Sequence, residues 1–192
     1  RVFKDVPALM ENVYAVTRFL AREDPDPRHV LTLALTVDGR PYCRDEEGEY
    51  WRLYEFVTGG ICLDRAESPD EFYQSAVAFG RFQMMLADFP AETLHETIAR
   101  FHDTPARYEA MHAAVEADAA GRLKDVGPEL AYALAREEAA SGLTRLLRAG
   151  ELPLRVTHND TKLNNVILDA KDHTALCVID LDTVMPGLVA ND

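Results

Sequence analysis

No stretch of the sequence offers the roughly 20 consecutive apolar residues that a membrane helix needs. No basic-then-apolar leader stands ahead of the first acidic segment either. Both point away from the membrane. Cysteine is scarce: Cys43, Cys62 and Cys177 are an odd number at wide spacing, with no Cys-x-x-Cys pair. That excludes a disulfide framework and a zinc ribbon, and leaves reduced thiols in a cytoplasmic protein as the simplest reading. Positive charge is also short, with 20 Lys and Arg against 33 Asp and Glu and a net charge of −13. Such an excess repels phosphate backbones, so nucleic-acid binding is disfavoured. Internal repeats and low-complexity tracts are missing too. What is present suits a globular domain with a real core: 192 residues, 47 % of them apolar, with a charged share of 28 % that is too ordinary for intrinsic disorder.

Periodicity gives a coarse plan. Asp5 caps an amphipathic helix to Leu20, with Leu9, Val13, Val16 and Leu20 at helical spacing. His29–Val37 alternates as a strand and ends at the Asp38-Gly39 turn; Tyr50–Val57 reads as a second strand, with the acidic run Asp45–Glu47 at a solvated hairpin tip. Thr58-Gly59-Gly60 breaks that strand, and the texture becomes helical. Ser68 and Pro69 start a helix whose apolar face runs from Phe72 to Phe89, and its stripe Phe72, Phe79, Phe82, Phe89 with Met84 and Met85 reads as core. Further helices are predicted from Thr104 to about Gly121 and from Gly127 to Gly150. Short β-rich pieces follow at Leu154–Thr157, Val166–Leu168 and Ala175–Ile179.

The chemistry concentrates in Thr157-His-Asn-Asp-Thr-Lys-Leu-Asn-Asn165 and in Cys177-Val-Ile-Asp-Leu-Asp182. The first is a polar loop between apolar strands; the second is a strand that ends in two acids. His158, Asp160, Lys162 and Asn165 share one loop, and Asp180 and Asp182 can aim at it from the strand end. Oxygen donors of this kind suit a hard cation. A separate carboxylate can orient a hydroxyl, and a lysine can offset charge on a transferring phosphoryl group.

His158-x-Asp160-x-x-x-x-Asn165 followed by Ile179-Asp180-Leu-Asp182 resembles the paired motifs of the protein-kinase-like fold. The fuller form, through Thr183-Val-Met-Pro-Gly187, resembles the aminoglycoside phosphotransferase/choline kinase family, and within it the N-acetylhexosamine 1-kinase-like branch. The likeness extends upstream through Trp51–Gly60, Phe72–Pro90 and Glu92–His102. It implies an α+β, two-lobe kinase-like fold, with a partial β-rich N-lobe at 1–57 and a mainly helical C-lobe at 58–192 that carries catalytic β-hairpins. It implies ATP- and Mg²⁺-dependent phosphorylation of a small hydroxyl compound, most simply an amino sugar at its anomeric oxygen. An aminoglycoside, choline or another alcohol is the alternative acceptor, and nucleotide binding without catalysis the alternative role. By the same resemblance Asp160 is the catalytic carboxylate, braced by His158, with Lys162 near the γ-phosphate. Asn165 and Asp180 would hold Mg²⁺, with Asp182 as an extra ligand. Glu55, Phe56 and Val57 fall where the family binds adenine, over a pocket floored and backed by Ile167 and Ile179.

The sequence also departs from the family. A Gly-rich strand-turn-strand and a strand lysine do not precede the first helix, where Glu11 is the best match to the acid that pairs that lysine. The chain stops at Asn191-Asp192, where relatives continue into helices that complete the acceptor pocket, so it reads as the middle of a longer protein. His95, His102 and His112 have neither the i, i+4 partner nor the carboxylate of a metal site, and read as surface or interhelix histidines.

Overall fold

In a computed structural model, residues 3–192 are described. They form two compact units, one from residues 3–98 and 154–192, the other from Ala99–Pro153.

The first unit begins with α1 (Val6–Glu23), capped as its sequence predicts by Asp5, whose carboxylate accepts from the Ala8 amide at 3.0 Å. Leu9, Val13, Val16 and Leu20 on its buried face enter the core. The region expected to be two long strands is instead a set of two-residue ladders. β1 (Leu33–Ala34) and β4 (Leu53–Tyr54) pair antiparallel, as do β2 (Cys43–Arg44) and β3 (Tyr50–Trp51). His29–Val37 does not run on as a strand because the chain turns at Thr36. There the Gly39 amide donates to the Thr36 carbonyl, and the Thr36 hydroxyl binds Asp38 and Arg40. Tyr50–Val57 divides because its two halves pair with different partners. The acidic segment sits at the β2–β3 turn, where the Asp45 carboxylate accepts the Glu49 amide.

β5 (Gly60–Ile61) leads to α2 (Pro69–Met85), which opens with a full capping box between Ser68 and Glu71. Phe79 and Phe82 are buried on α2, but Phe72 and Met84 are 66 % and 69 % exposed, so the aromatic stripe is core only in its middle. The helical period turns Met84 about 140° from Phe79, whereas Phe72, seven residues before Phe79, lies within about 20° of it and is exposed in the first turn of the helix. β6 (Arg155–Thr157) pairs with β9 (Met185–Gly187), while β5, β7 (Val166–Asp169) and β8 (Ala175–Val178) make a three-stranded antiparallel sheet in the order β5-β7-β8. α1, α2 and this sheet share one apolar cluster that includes Val13, Phe82, Leu86, Val166, Leu168 and Cys177.

The second unit is helical: α3 (Thr104–Ala117), α4 (Gly127–Leu134), α5 (Glu137–Ala140) and α6 (Gly142–Arg148). α3 is capped by Asp103 and ends before Gly121 because Asp118 turns left-handed. The single helix expected over Gly127–Gly150 is three pieces, interrupted near Arg136 and Ser141. No residue of these four helices is buried, so no packed face holds that stretch in one continuous run.

Among the described residues no helix is long and apolar enough to cross a membrane. All three cysteines are free, with Cys177 buried and Cys43 and Cys62 exposed. Burial in the apolar cluster pushes the Cys177 thiol up to about 12.

Candidate active site

The loop after β6 is built around His158, which is fully buried. Phe79 and Phe82 meet its ring edge-on, with centroids at 5.3 and 5.9 Å. Nε2 lies 2.9 Å from the Ile179 carbonyl, and Nδ1 takes the Asp160 amide at 3.3 Å. A carbonyl on one nitrogen and an N–H on the other require the neutral ring with its proton on Nε2. Burial pulls the His158 pKa below the ordinary histidine value, in keeping with that tautomer. His158 thus joins the Asp160 loop to the strand end that carries Asp180.

Asp160 is half-buried. Its Oδ2 accepts from Lys162 Nζ at 2.7 Å and from Asn165 Nδ2 at 3.1 Å, and the same amide nitrogen reaches the Asp160 carbonyl at 2.9 Å. The Lys162 hydrogen bond holds the Asp160 carboxyl below its usual range, and Asp160 in turn raises Lys162. Asn165 is buried, so its orientation is fixed by these bonds. Both donor hydrogens face Asp160, which leaves the amide oxygen of Asn165 as an available acceptor.

Two residues past the end of β8 stands Asp180, a non-glycine residue at φ 62° and ψ 56°. Such a conformation costs energy and persists only where its surroundings fix it. Here the Ile179 amide donates to the Asn165 carbonyl at 2.9 Å on one side of it, and a single 3-10 turn, Leu181–Thr183, follows on the other. The Asp180 side chain is exposed and, among the described residues, has no hydrogen-bond or ion-pair partner. Asp182 behaves differently. Its Oδ1 is buried in an ion pair with Arg52 that lacks hydrogen-bond alignment.

A cavity of about 390 Å³ lies between the β4–β5 connection and the β7–β8 hairpin. Glu55, Phe56, Val57, Ile167 and Ile179 all line it, and Asp180 stands in its wall. Val57 is buried, whereas Phe56 is 85 % exposed. Tyr54 also lines the cavity, and its hydroxyl is buried without a hydrogen-bond partner among the described residues. Burial pushes this phenol up to about 12.

The donor set can be tested against a magnesium ion. No group of three or more His, Cys, Asp or Glu able to hold a metal is found among the described residues. Mg²⁺ takes only one or two protein carboxylates when substrate phosphates complete its shell. The Asn165 amide oxygen and the unpartnered Asp180 carboxylate meet that demand. Asp182, already paired with Arg52, fits it least. The other sequence candidates disperse. Glu11 is 68 % exposed and pairs with His95 at 2.7 Å, and His112 pairs with Glu137 at 2.9 Å. Each histidine has a carboxylate from distant sequence, but only one, as suits a surface pair.

Asp192 escaped the sequence reading. Its carboxylate accepts the His158 amide at 2.8 Å and the Asn159 amide at 2.7 Å, and its carbonyl accepts the Thr161 hydroxyl at 2.9 Å. One residue therefore holds three positions of the loop that presents Asp160, two through its carboxylate and one through its backbone carbonyl. Thr183 supports the same loop by donating to the His158 carbonyl at 2.6 Å, and Asn159, itself left-handed, donates to the Thr183 carbonyl. No local pattern signals such a role; a lone Asp far along the chain has none to show. Asn12 was likewise unflagged, a buried amide that bridges α1 to the His95 backbone and to the Val184 carbonyl.

This arrangement places one ionised carboxylate beside a cation and an amide, and a second carboxylate on a cavity large enough for a planar heterocycle. Comparison of the sequence with known families agrees with that chemistry. A family model described as a phosphotransferase enzyme family (APH) matches residues 1–192. The mixed helix-and-sheet architecture is the α+β, kinase-like type. The chain belongs to the APH phosphotransferase enzyme family.

Proposed function

We propose that the chain transfers the γ-phosphoryl group of ATP, with Mg²⁺, to a hydroxyl of a small molecule, and that the acceptor is an amino sugar of the N-acetylhexosamine type phosphorylated at its anomeric oxygen. One observation carries the phosphoryl-transfer reading: the Asp160–Asn165 pair and the unpartnered Asp180 are tied together through His158, and Asp180 stands in the wall of the Glu55–Val57 cavity. The acceptor rests on the motif resemblance alone.

In this reading Glu55–Val57 offer backbone groups to adenine, and Ile167 and Ile179 supply apolar faces. Mg²⁺ held by Asn165 and Asp180 would neutralise charge on the phosphate oxygens. Asp160 orients the acceptor hydroxyl and takes its proton. A depressed pKa suits that work: in a loose transition state the nucleophile needs alignment more than strong deprotonation, and the carboxylate must stay ionised at neutral pH. Lys162 holds Asp160 in place and stands ready to share charge with the transferring group. His158 and Asp192 act through the loop backbone. Asp182 anchors the strand end through Arg52 rather than binding metal. Free thiols and the lack of a spanning helix favour the cytoplasm as the place of action.

The test is ADP release with N-acetylhexosamines, aminoglycosides and choline in parallel. The proposal expects Mg²⁺-dependent ADP only with the amino sugar, and its loss in Asp160→Ala. Activity with another acceptor overturns the sugar assignment, and Mg·ATP binding without ADP from any acceptor leaves a nucleotide-binding role in place of catalysis.

A further inference from the structure

Arg28 lies outside every motif, on the connector between α1 and β1. Two aspartate turns fix its backbone: the Asp26 amide donates to Asp24 Oδ1 at 3.0 Å, and the Arg28 amide to Asp26 Oδ1 at 2.9 Å. The guanidinium then reaches two separate chain segments. Nε donates to the Thr58 carbonyl at 3.1 Å, and Nη2 donates to Asp169 Oδ2 at 2.7 Å. Thr58 follows the cavity-lining Glu55–Val57; Asp169 ends β7, which carries Ile167 on the opposite wall.

Three further contacts join these walls. The Ala170 amide donates to the Gly59 carbonyl at 2.9 Å, and Gly60 is in register with Asp169. At Gly60 a Cβ would collide with Ile167 Cγ2, so the β5 backbone lies directly on the floor residue of the cavity. The far side of Asp169 is also engaged, through Oδ1 to the Lys171 amide and its own amide to the Thr174 carbonyl. A planar guanidinium has the fork needed to hold a carbonyl and a carboxylate at once; an ammonium does not.

We propose that Arg28 is a positioning residue for the nucleotide, pinning the Glu55–Gly60 segment to β7 so that the two walls of the cavity keep the spacing of a bound purine. The inference rests on the phosphotransferase reading of that cavity. Arg28 touches neither substrate nor metal donors and acts only through Thr58 and Asp169.

The experiment compares wild type, Arg28→Ala, Arg28→Lys and Asp169→Asn for Mg·ATP affinity by calorimetry, for the KM of ATP and of acceptor, for kcat, and for thermal midpoint. Arg28→Ala should weaken Mg·ATP on the order of tenfold, the scale of one lost charge-assisted hydrogen bond, with acceptor KM and kcat nearly unchanged. Arg28→Lys should keep the thermal midpoint of wild type and still bind nucleotide more weakly, because the flexible ammonium lacks the rigid fork that fixes the two acceptors relative to each other. Asp169→Asn, which keeps an oxygen for Arg28, should fall between wild type and Arg28→Ala. If Arg28→Ala does not fold, the Arg28→Lys comparison decides: wild-type affinity there overturns the proposal. Equal affinity in wild type and Arg28→Ala also overturns it, as does a parallel worsening of nucleotide and acceptor constants with a lower midpoint, which marks general destabilisation. A wild type that binds no Mg·ATP overturns the phosphotransferase reading of the cavity and this proposal with it. A wild type that binds while Arg28→Ala matches it overturns this proposal alone.

Discussion

The two compact units are built on opposite principles. In the unit of residues 3–98 and 154–192, α1, α2 and the β5-β7-β8 sheet share a continuous apolar cluster, and Asp160 is held by Lys162, Asn165 and the buried His158. In the unit of Ala99–Pro153, none of the four helices buries a residue, and exposed pairs such as Arg100–Asp103, Arg148–Asp103 and His112–Glu137 join its segments. The candidate catalytic residues belong to the first. Phosphoryl transfer depends on alignment, and alignment needs side chains whose rotamers are locked by packing. A helical surface without a core of its own can vary without disturbing that alignment.

This contrast can be broken most easily at its chemical end. Asp160→Ala and Asp180→Asn should each lower kcat by roughly 10²–10⁴-fold in an ADP-release assay, the range for removing a positioned proton acceptor or metal ligand. Near-wild-type turnover in either would place the chemistry elsewhere. Stability should divide along the same line. Leu168→Ala, at a position 1 % exposed, should cost about 2–5 kcal/mol in urea unfolding. Leu143→Ala in α6, at 44 % exposure, should cost about 0.5 kcal/mol or less. Similar losses for both would erase the distinction between the units.

His158 sharpens the comparison through pH. Its pKa is lowered in the folded state, so the unfolded chain binds the extra proton first. The stability that neutral His158 supports is fully present above the ordinary histidine value of about 6.5 and is lost as pH falls below it. Urea midpoints at pH 7.5 and 5.5 should therefore diverge in wild type and converge in His158→Gln. A smaller effect is expected at Lys162. Removing it in Lys162→Met lets the Asp160 pKa rise toward its ordinary value, which moves the acid limb of the kcat/KM profile to higher pH. An unmoved limb would show that Lys162 does not tune Asp160. Least of all should happen at His112→Ala in the second unit, where the partly exposed pair with Glu137 should change stability by about 0.5 kcal/mol or less.

Much of the site was legible because its parts are close in sequence. His158, Asp160, Lys162 and Asn165 fall within one loop, and Asp5, Ser68 and Glu71 announce their helices by capping chemistry that acts over three residues. What stayed hidden depends on distant pairing. Asp192 meets His158 across 34 residues and Arg28 meets Asp169 across 141. Strand lengths were overread for the same reason. Alternation in His29–Val37 marks which residues turn inward, but ladder length is set by partners, and only Leu33 and Ala34 find them. Asp182 shows the converse limit: spacing puts it beside Asp180, yet Arg52, which no motif connects to it, claims its carboxylate.

The account stands most directly on one comparison, calorimetric binding of ATP with and without Mg²⁺ to wild type and to Asp180→Asn. It predicts Mg²⁺-dependent binding in wild type that Asp180→Asn largely loses. Binding that ignores Mg²⁺, or that Asp180→Asn retains in full, would contradict it.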